Sequence, residues 1–192
     1  MKEILFFIFD NMTDYEIIFA MHMLNTSGKF KVITISYDEC DVHGRSGAIY
    51  KPHRLVTDIN NFNADGLVIC GGWYGDYRIE LDELIHYLND NKQLVAGICG
   101  AGTYMLAKSF VLENVKYTTP ITEWTDDHEK VFGKNDVFPR ENYINDNVVR
   151  DKNIITSLGH VFIDFTAEIM EWYNMFENSS GKIEFLDFMK SN

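Results

Sequence analysis

Apolar residues run almost unbroken from Glu3 to Phe9 (EILFFIF) and stop at Asp10-Asn11, a turn signal. A short run of this kind reads as a strand buried on both faces. From Thr13 to Thr26 the apolar positions Ile17, Ala20, Met21 and Leu24 fall on one face, which predicts a helix ended by Ser27-Gly28. Lys31–Ser36, Gly66–Cys70 and Gln93–Ile98 read as further strands, and Asn153–Ser157 as a late one. Helical spacing returns over Ile79–Asn89, Ala101–Leu112 and Phe162–Phe176, with a short final helix over Ile183–Met189. Tyr37–Asn63 is irregular, with room for short strands and a loop.

Strands that barely alternate, each followed by a helix, predict a mainly parallel sheet covered on both faces. The expected fold is an α/β, flavodoxin-like or Rossmann-like wrap in a single domain over residues 1–192, since no linker or internal repeat divides the chain. Ligands of such sheets bind at the carboxyl ends of the strands, near a topological switch point.

Composition narrows the function. With 17 Lys and Arg against 29 Asp and Glu, the formal charge is −12, which repels phosphate backbones and anionic lipid. No nucleic-acid or membrane partner is expected, and no apolar run reaches the ~18 residues of a membrane span. The first residues read as a strand rather than an export signal. Cys40, Cys70 and Cys99 are odd in number and lack close spacing, so neither a disulfide framework nor a cysteine zinc site is expected. Free thiols then fit a cytoplasmic protein.

Cys99 carries the most information. It stands in Gly97-Ile98-Cys99-Gly100-Ala101, between a strand and a helix, as in a nucleophile elbow. The helix N-terminus would depress the thiol pKa. The alternative is a small core residue in a tight loop. Gly71 and Gly72 end the third strand in the same way, and their N–H groups, with that of Gly100, could face Cys99 as an oxyanion hole. Glu16 sits at the start of the first helix. It is either a carboxylate facing Cys99 or the partner of Thr13 in a capping box. His160 follows the late strand at the same edge and is a candidate base. His128, in Asp126-Asp127-His128-Glu129, reads as part of a solvated face rather than a metal cluster.

The segments ILFFIFDNMTDYE, VICGG, VAGICGAGTYMLA and ITSLGHVFIDFTAEI, taken in this order from about Ile4 to Trp172, resemble the DJ-1/ThiJ/PfpI superfamily, within the class I glutamine amidotransferase-like fold. The resemblance implies a flavodoxin-like three-layer sandwich, a homodimer, and no metal or organic cofactor. It maps the reactive cysteine onto Cys99, its glutamate partner onto Glu16, and the oxyanion donors onto Gly72 and Gly100. It implies a cysteine-dependent hydrolase or glyoxalase-like enzyme acting on a small carbonyl or amide compound, or, alternatively, a redox-responsive protein with an oxidisable Cys99. This chain departs from relatives in its histidines. Gly100 stands where many members place a histidine after the cysteine, Pro120 follows the Thr118-Thr119 pair, and Gly159-His160-Val161 lacks the glutamate of a glutaminase ending. Glutaminase activity is therefore not expected. Pro120–Asp127, with Glu123 and Trp124, is expected to lie over the site together with Gly71.

Overall fold

The computed structural model describes residues 1–61, 64–178 and 180–191. Its centre is a seven-stranded sheet formed by β1 (Lys2–Phe7), β2 (Phe30–Ser36), β5 (Arg54–Leu55), β6 (Ala64–Ile69), β7 (Leu94–Ile98), β8 (Val148–Asp151) and β9 (Ile154–Ser157). The strand order is β5-β2-β1-β6-β7-β9-β8. Every pairing is parallel except β8 with β9. A separate two-stranded hairpin joins β3 (Val42–His43) and β4 (Ile49–Tyr50). The central strands are apolar on both faces because helices cover both: Ile4–Phe7, Leu67–Ile69 and Leu94–Ala96 are fully buried.

The order reverses direction between β1 and β6. From β1 the chain crosses by α1 (Tyr15–Thr26) to β2 on one side, and from β6 by α2 (Ile79–Asp90) to β7 on the other. Right-handed crossovers then put these helices on opposite faces. α5 (Phe162–Trp172) packs beside α1, while α3 (Cys99–Lys108) lies against β7 and β9. The result is the flavodoxin-like α/β sandwich expected from the strand–helix alternation. Register aligns the strand ends that matter: Phe7 pairs with Ile69, Ile69 with Gly97, and Ile98 with Ser157. The carboxyl ends of β1, β6, β7 and β9 therefore meet along one edge.

Several local expectations are corrected. The first helix begins at Tyr15 with Asp14 as its N-cap, and no side-chain capping bond forms, so the Thr13–Glu16 capping box does not exist. The Asp14 carboxylate accepts hydrogen bonds from the Ser46 hydroxyl, the Ser46 N–H (3.2 Å) and the Tyr50 hydroxyl (2.7 Å), fastening the β3–β4 hairpin to the start of α1. Burial pushes this carboxyl up, but the bonds from Ser46 and Tyr50 outweigh it and leave its pKa below the ordinary value. The elbow helix starts at Cys99 rather than Ala101, and α5 ends at Trp172, short of Phe176. α4 (Asp126–Phe132), β8 and α6 (Gly181–Lys190) complete the chain. Within the stretch expected to be irregular, short strands and a 3-10 turn occur, and its last residues, Phe62 and Asn63, lie outside the described residues. No helix among the described residues is long and apolar enough to cross a membrane.

Candidate active site

Cys99 lies at the point where β7 turns into α3, with φ +60°. A non-glycine residue in that region costs on the order of 1–3 kcal/mol and is held there by its surroundings. The Thr103 hydroxyl donates to the Cys99 carbonyl at 2.5 Å and meets the Thr119 hydroxyl at 2.7 Å. Ile121 N–H donates to the Thr119 hydroxyl (3.2 Å), and Arg140 Nη1 donates to the Ile121 carbonyl (2.6 Å). Arg140 is itself held by Asp136 at 2.8 Å. The start of the loop that follows the Thr-Thr pair is thus bound to the elbow through Thr119 and anchored to Arg140 through Ile121.

Glu16, in the first turn of α1, is 1% exposed. Its carboxyl lies beside the Cys99 thiol: Glu16 Oε1 and Cys99 Sγ both border the point where a methyl group on Gly159 would be, the sulfur at 3.0 Å from it. Oε2 has no partner at ordinary hydrogen-bond geometry. Burial drives the Glu16 pKa up to about 7, and hydrogen bonding from Cys99 and from the Gly71 backbone only partly offsets this. Burial also pushes the Cys99 thiol up to about 11, with the nearby Glu16 charge adding to the effect. The backbone N–H groups of Gly100 and Gly72 favour the thiolate and act the other way. The depressed thiol pKa expected from the helix terminus is therefore corrected: desolvation and a buried carboxylate outweigh the helix end.

Two glycines make room for the pair. A methyl group on Gly71 would overlap the Glu16 carboxylate and the Cys99 side chain, and one on Gly159 would overlap Glu16 Oε1 and sit 3.0 Å from Cys99 Sγ. Gly71 is thus buried beneath the pair, its carbonyl accepting from Thr13 N–H at 2.9 Å. Gly72, at φ +141°, turns the chain after β6 and passes its carbonyl to Ala101 N–H at 3.0 Å.

The structure thus joins Cys99, Glu16, Gly71, Gly72 and Gly100. It does not join His160 to them. That side chain is exposed on the 3-10 turn Gly159–Val161 and forms no hydrogen bond with Cys99 or Glu16. Its neighbour Gly159, not singled out in the sequence, touches the pair instead. Glu123 is exposed, without an ion pair among the described residues. Trp124 is half-buried, its indole N–H donating to the Gly133 carbonyl at 3.2 Å. Trp73, Thr103, Ile121 and Arg140 carry no local motif. Only the position of Trp73 directly after Gly71-Gly72 could have pointed to it. Among the described residues no group of three or more His, Cys, Asp or Glu could hold a metal ion.

The fold and this cysteine at a strand–helix elbow define a class, the flavodoxin-like proteins with a thiol at the sheet's carboxyl edge. Within it, the chain belongs to the DJ-1/PfpI family, whose model matches residues 2–172. A curated relative, "Uncharacterized protease YdeA" of Bacillus subtilis, is 28% identical over 176 residues, covering 89% of this chain and 83% of that protein. Among solved structures, the ThiJ/PfpI family protein from Bacillus anthracis superposes with TM-score 0.81 at 21% identity, over 99% of this chain and 91% of that one. The DJ-1 superfamily protein Atu0886 from Agrobacterium tumefaciens gives 0.79 at 21% identity, over 98% and 97%. Oxidized DJ-1 from Toxoplasma gondii gives 0.76 at 18% identity, over 100% of both chains.

Proposed function

We propose that this protein is a cysteine-dependent enzyme acting on a small carbonyl or amide compound. The observation that carries this reading is the packing of a buried carboxyl against a thiol, the two crowding the same space beside Gly71 and Gly159. A carboxyl raised to about 7 is divided between its two forms at neutral pH, as general-base work requires. In the proposed step the Cys99 thiol gives its proton to Glu16 carboxylate as the sulfur bonds to the carbonyl carbon. The carbonyl π pair moves to oxygen, and the N–H groups of Gly72 and Gly100 hold that oxyanion, each worth roughly 3 kcal/mol in the transition state. With an amide, the oxyanion collapses, the C–N bond breaks as Glu16 gives its proton to the departing nitrogen, and water then hydrolyses the thioester to free Cys99; with an aldehyde, the oxyanion takes that proton to form a hemithioacetal. The name of the YdeA relative is consistent with an amide substrate.

The alternative, a redox-responsive protein without turnover, draws support from the partial exposure of Cys99 and from the oxidized state in which one structural neighbour was solved.

A panel of small aldehydes and amides tests this, with Cys99→Ser and Glu16→Gln alongside the wild type. The expected result is turnover by the wild type, lost in Cys99→Ser and reduced about 10²–10⁴-fold in Glu16→Gln. Turnover that survives Cys99→Ser overturns it. So does a Cys99 that stably accumulates the sulfinic acid under mild peroxide while the panel stays untouched.

A further inference from the structure

Trp73 directly follows Gly72, whose carbonyl accepts from Ala101 N–H at 3.0 Å and so lies against the turn after Cys99. Although large and apolar, it is left 47% exposed. Its ring borders the site: Cε3 lies 4.0 Å from where a methyl group on Gly100 would be, and Ile121 Cδ1 stands 3.9 Å from the same point. The indole is not a loose surface side chain. Its centroid is 5.1 Å from the His128 ring and 5.1 Å from Phe132, edge-on to the latter. Behind them, Trp124 lies 5.7 Å from His128 and Tyr104 4.6 Å from Phe132.

His128 is fixed as firmly as the rings around it. It occupies N3 of α4, and Thr125 N–H donates to its Nδ1 at 3.1 Å in a reciprocal cap. An Nδ1 that accepts a backbone N–H leaves the ring proton of the neutral imidazole on Nε2. The expected solvated histidine is thus half-buried between two tryptophans, stacked on Trp124 and tilted by 48° to Trp73, with its orientation set by the backbone. An exposed aromatic face on a rigid aromatic backing, at the rim of an oxyanion site, is preorganised for a flat apolar group.

We propose that Trp73, backed by His128, forms a specificity subsite for an aromatic group attached to the reacting carbonyl, so that the substrates are aryl amides or aryl carbonyl compounds. The proposal rests on the reading of Cys99 as the reacting residue. The platform continues the wall made by Gly72 and Gly100, so a ring lying on it would place its carbonyl carbon toward the sulfur.

The test uses two simple amides, benzamide and acetamide, as protectants of Cys99 against iodoacetamide, read by mass spectrometry. Turnover is not needed. Benzamide is expected to protect at lower concentration than acetamide. The ratio of half-protecting concentrations is expected to shrink about three- to tenfold in Trp73→Ala, change less than about twofold in Trp73→Phe, and shrink in His128→Ala. Buried Cys70 staying unalkylated in each variant shows that the fold is intact. No benzamide preference in the wild type, or a preference unmoved by Trp73→Ala, overturns the subsite. Trp73-dependent protection without turnover of any compound would uphold the subsite while sinking the enzymatic reading.

Discussion

Glu16 and Cys99 come from opposite sides of the sheet's switch point and meet across the space that a methyl group on Gly159 would fill, inside a pocket that penalises charge on either group. Among the described residues no cation contributes to the shift of either group. The pair holds its reactivity as a proton between two reluctant ionisable groups, and the predictions below follow from that arrangement.

The rate of Cys99 alkylation should rise with pH in two stages in the wild type, the first near 7 as Glu16 ionises and can accept the thiol proton. In Glu16→Gln the first stage should vanish. The thiolate stage should move below about 11, because the carboxylate that repelled the thiolate is gone. A pH series of iodoacetamide rates, resolved by cysteine, measures both. An unchanged profile would break the assigned coupling.

Stability should carry the same signature. The Glu16 carboxyl titrates at about 7 in the folded protein against 4.5 in its ordinary state, so the folded chain stays protonated where the unfolded chain has ionised. The penalty is absent below 4.5, grows between 4.5 and 7, and is complete above 7. Glu16→Gln should therefore match the wild type in acid and exceed it by up to about 3 kcal/mol at pH 8. Urea midpoints at the two pH values decide it, and a gap that widens toward acid would contradict the sign.

Asp14 should behave in the opposite sense. Its carboxyl is held low by Ser46 and Tyr50 against the effect of burial, so its contribution is present above the ordinary value of 3.8 and is lost as pH falls through the depressed one. Asp14→Ala should cost about 2–3 kcal/mol at neutral pH and loosen the β3–β4 hairpin. Hydrogen exchange at Ala48 and Tyr50, compared with exchange in α2, reports whether the loss is local.

Gly159→Ala should be felt at the sulfur before anywhere else. The added methyl group overlaps the Glu16 carboxyl and reaches Cys99 Sγ, so an overpacking cost of about 1–3 kcal/mol is expected, together with displacement of Glu16. The first stage of the Cys99 alkylation profile should disappear, as in Glu16→Gln. A variant of wild-type stability and profile would show that the pocket has slack.

His160→Gln should leave both stages of the Cys99 profile in place, with rates within about twofold, since the exposed imidazole bonds to neither member of the pair. A larger drop would return His160 to the site.

Much of this architecture was legible in the order of residues, for definite reasons. The strands were visible because a sheet covered on both faces needs apolar runs, and the elbow because Gly97-Ile98-Cys99-Gly100 packs small residues around one thiol. The role of Glu16 was obscured by Thr13, which imitates a cap that Asp14 displaces by bonding elsewhere. β8 escaped notice because Val148–Asp151 mixes two valines with charge at a sheet edge. Gly159, Trp73 and Arg140 were illegible because their roles depend on contacts between distant segments, which no local spacing encodes. The raised thiol pKa is illegible for a related reason: the helix end is written locally, whereas the burial that overrides it is not.

The two margins of the sheet differ in construction but share an outcome. At one, β5 is a two-residue strand whose Arg54 is clamped to Glu3. At the other, β8 runs against the grain of its neighbour, and its Arg150 pairs with Glu168 and Glu171 of α5. Neither margin offers a long apolar ladder on which a second chain could template itself. A strongly β-forming interior, carrying runs such as ILFFIF, is thereby kept from propagating into fibrils, and unfolding of the margins, rather than loss of the centre, would be the route by which this protein aggregates.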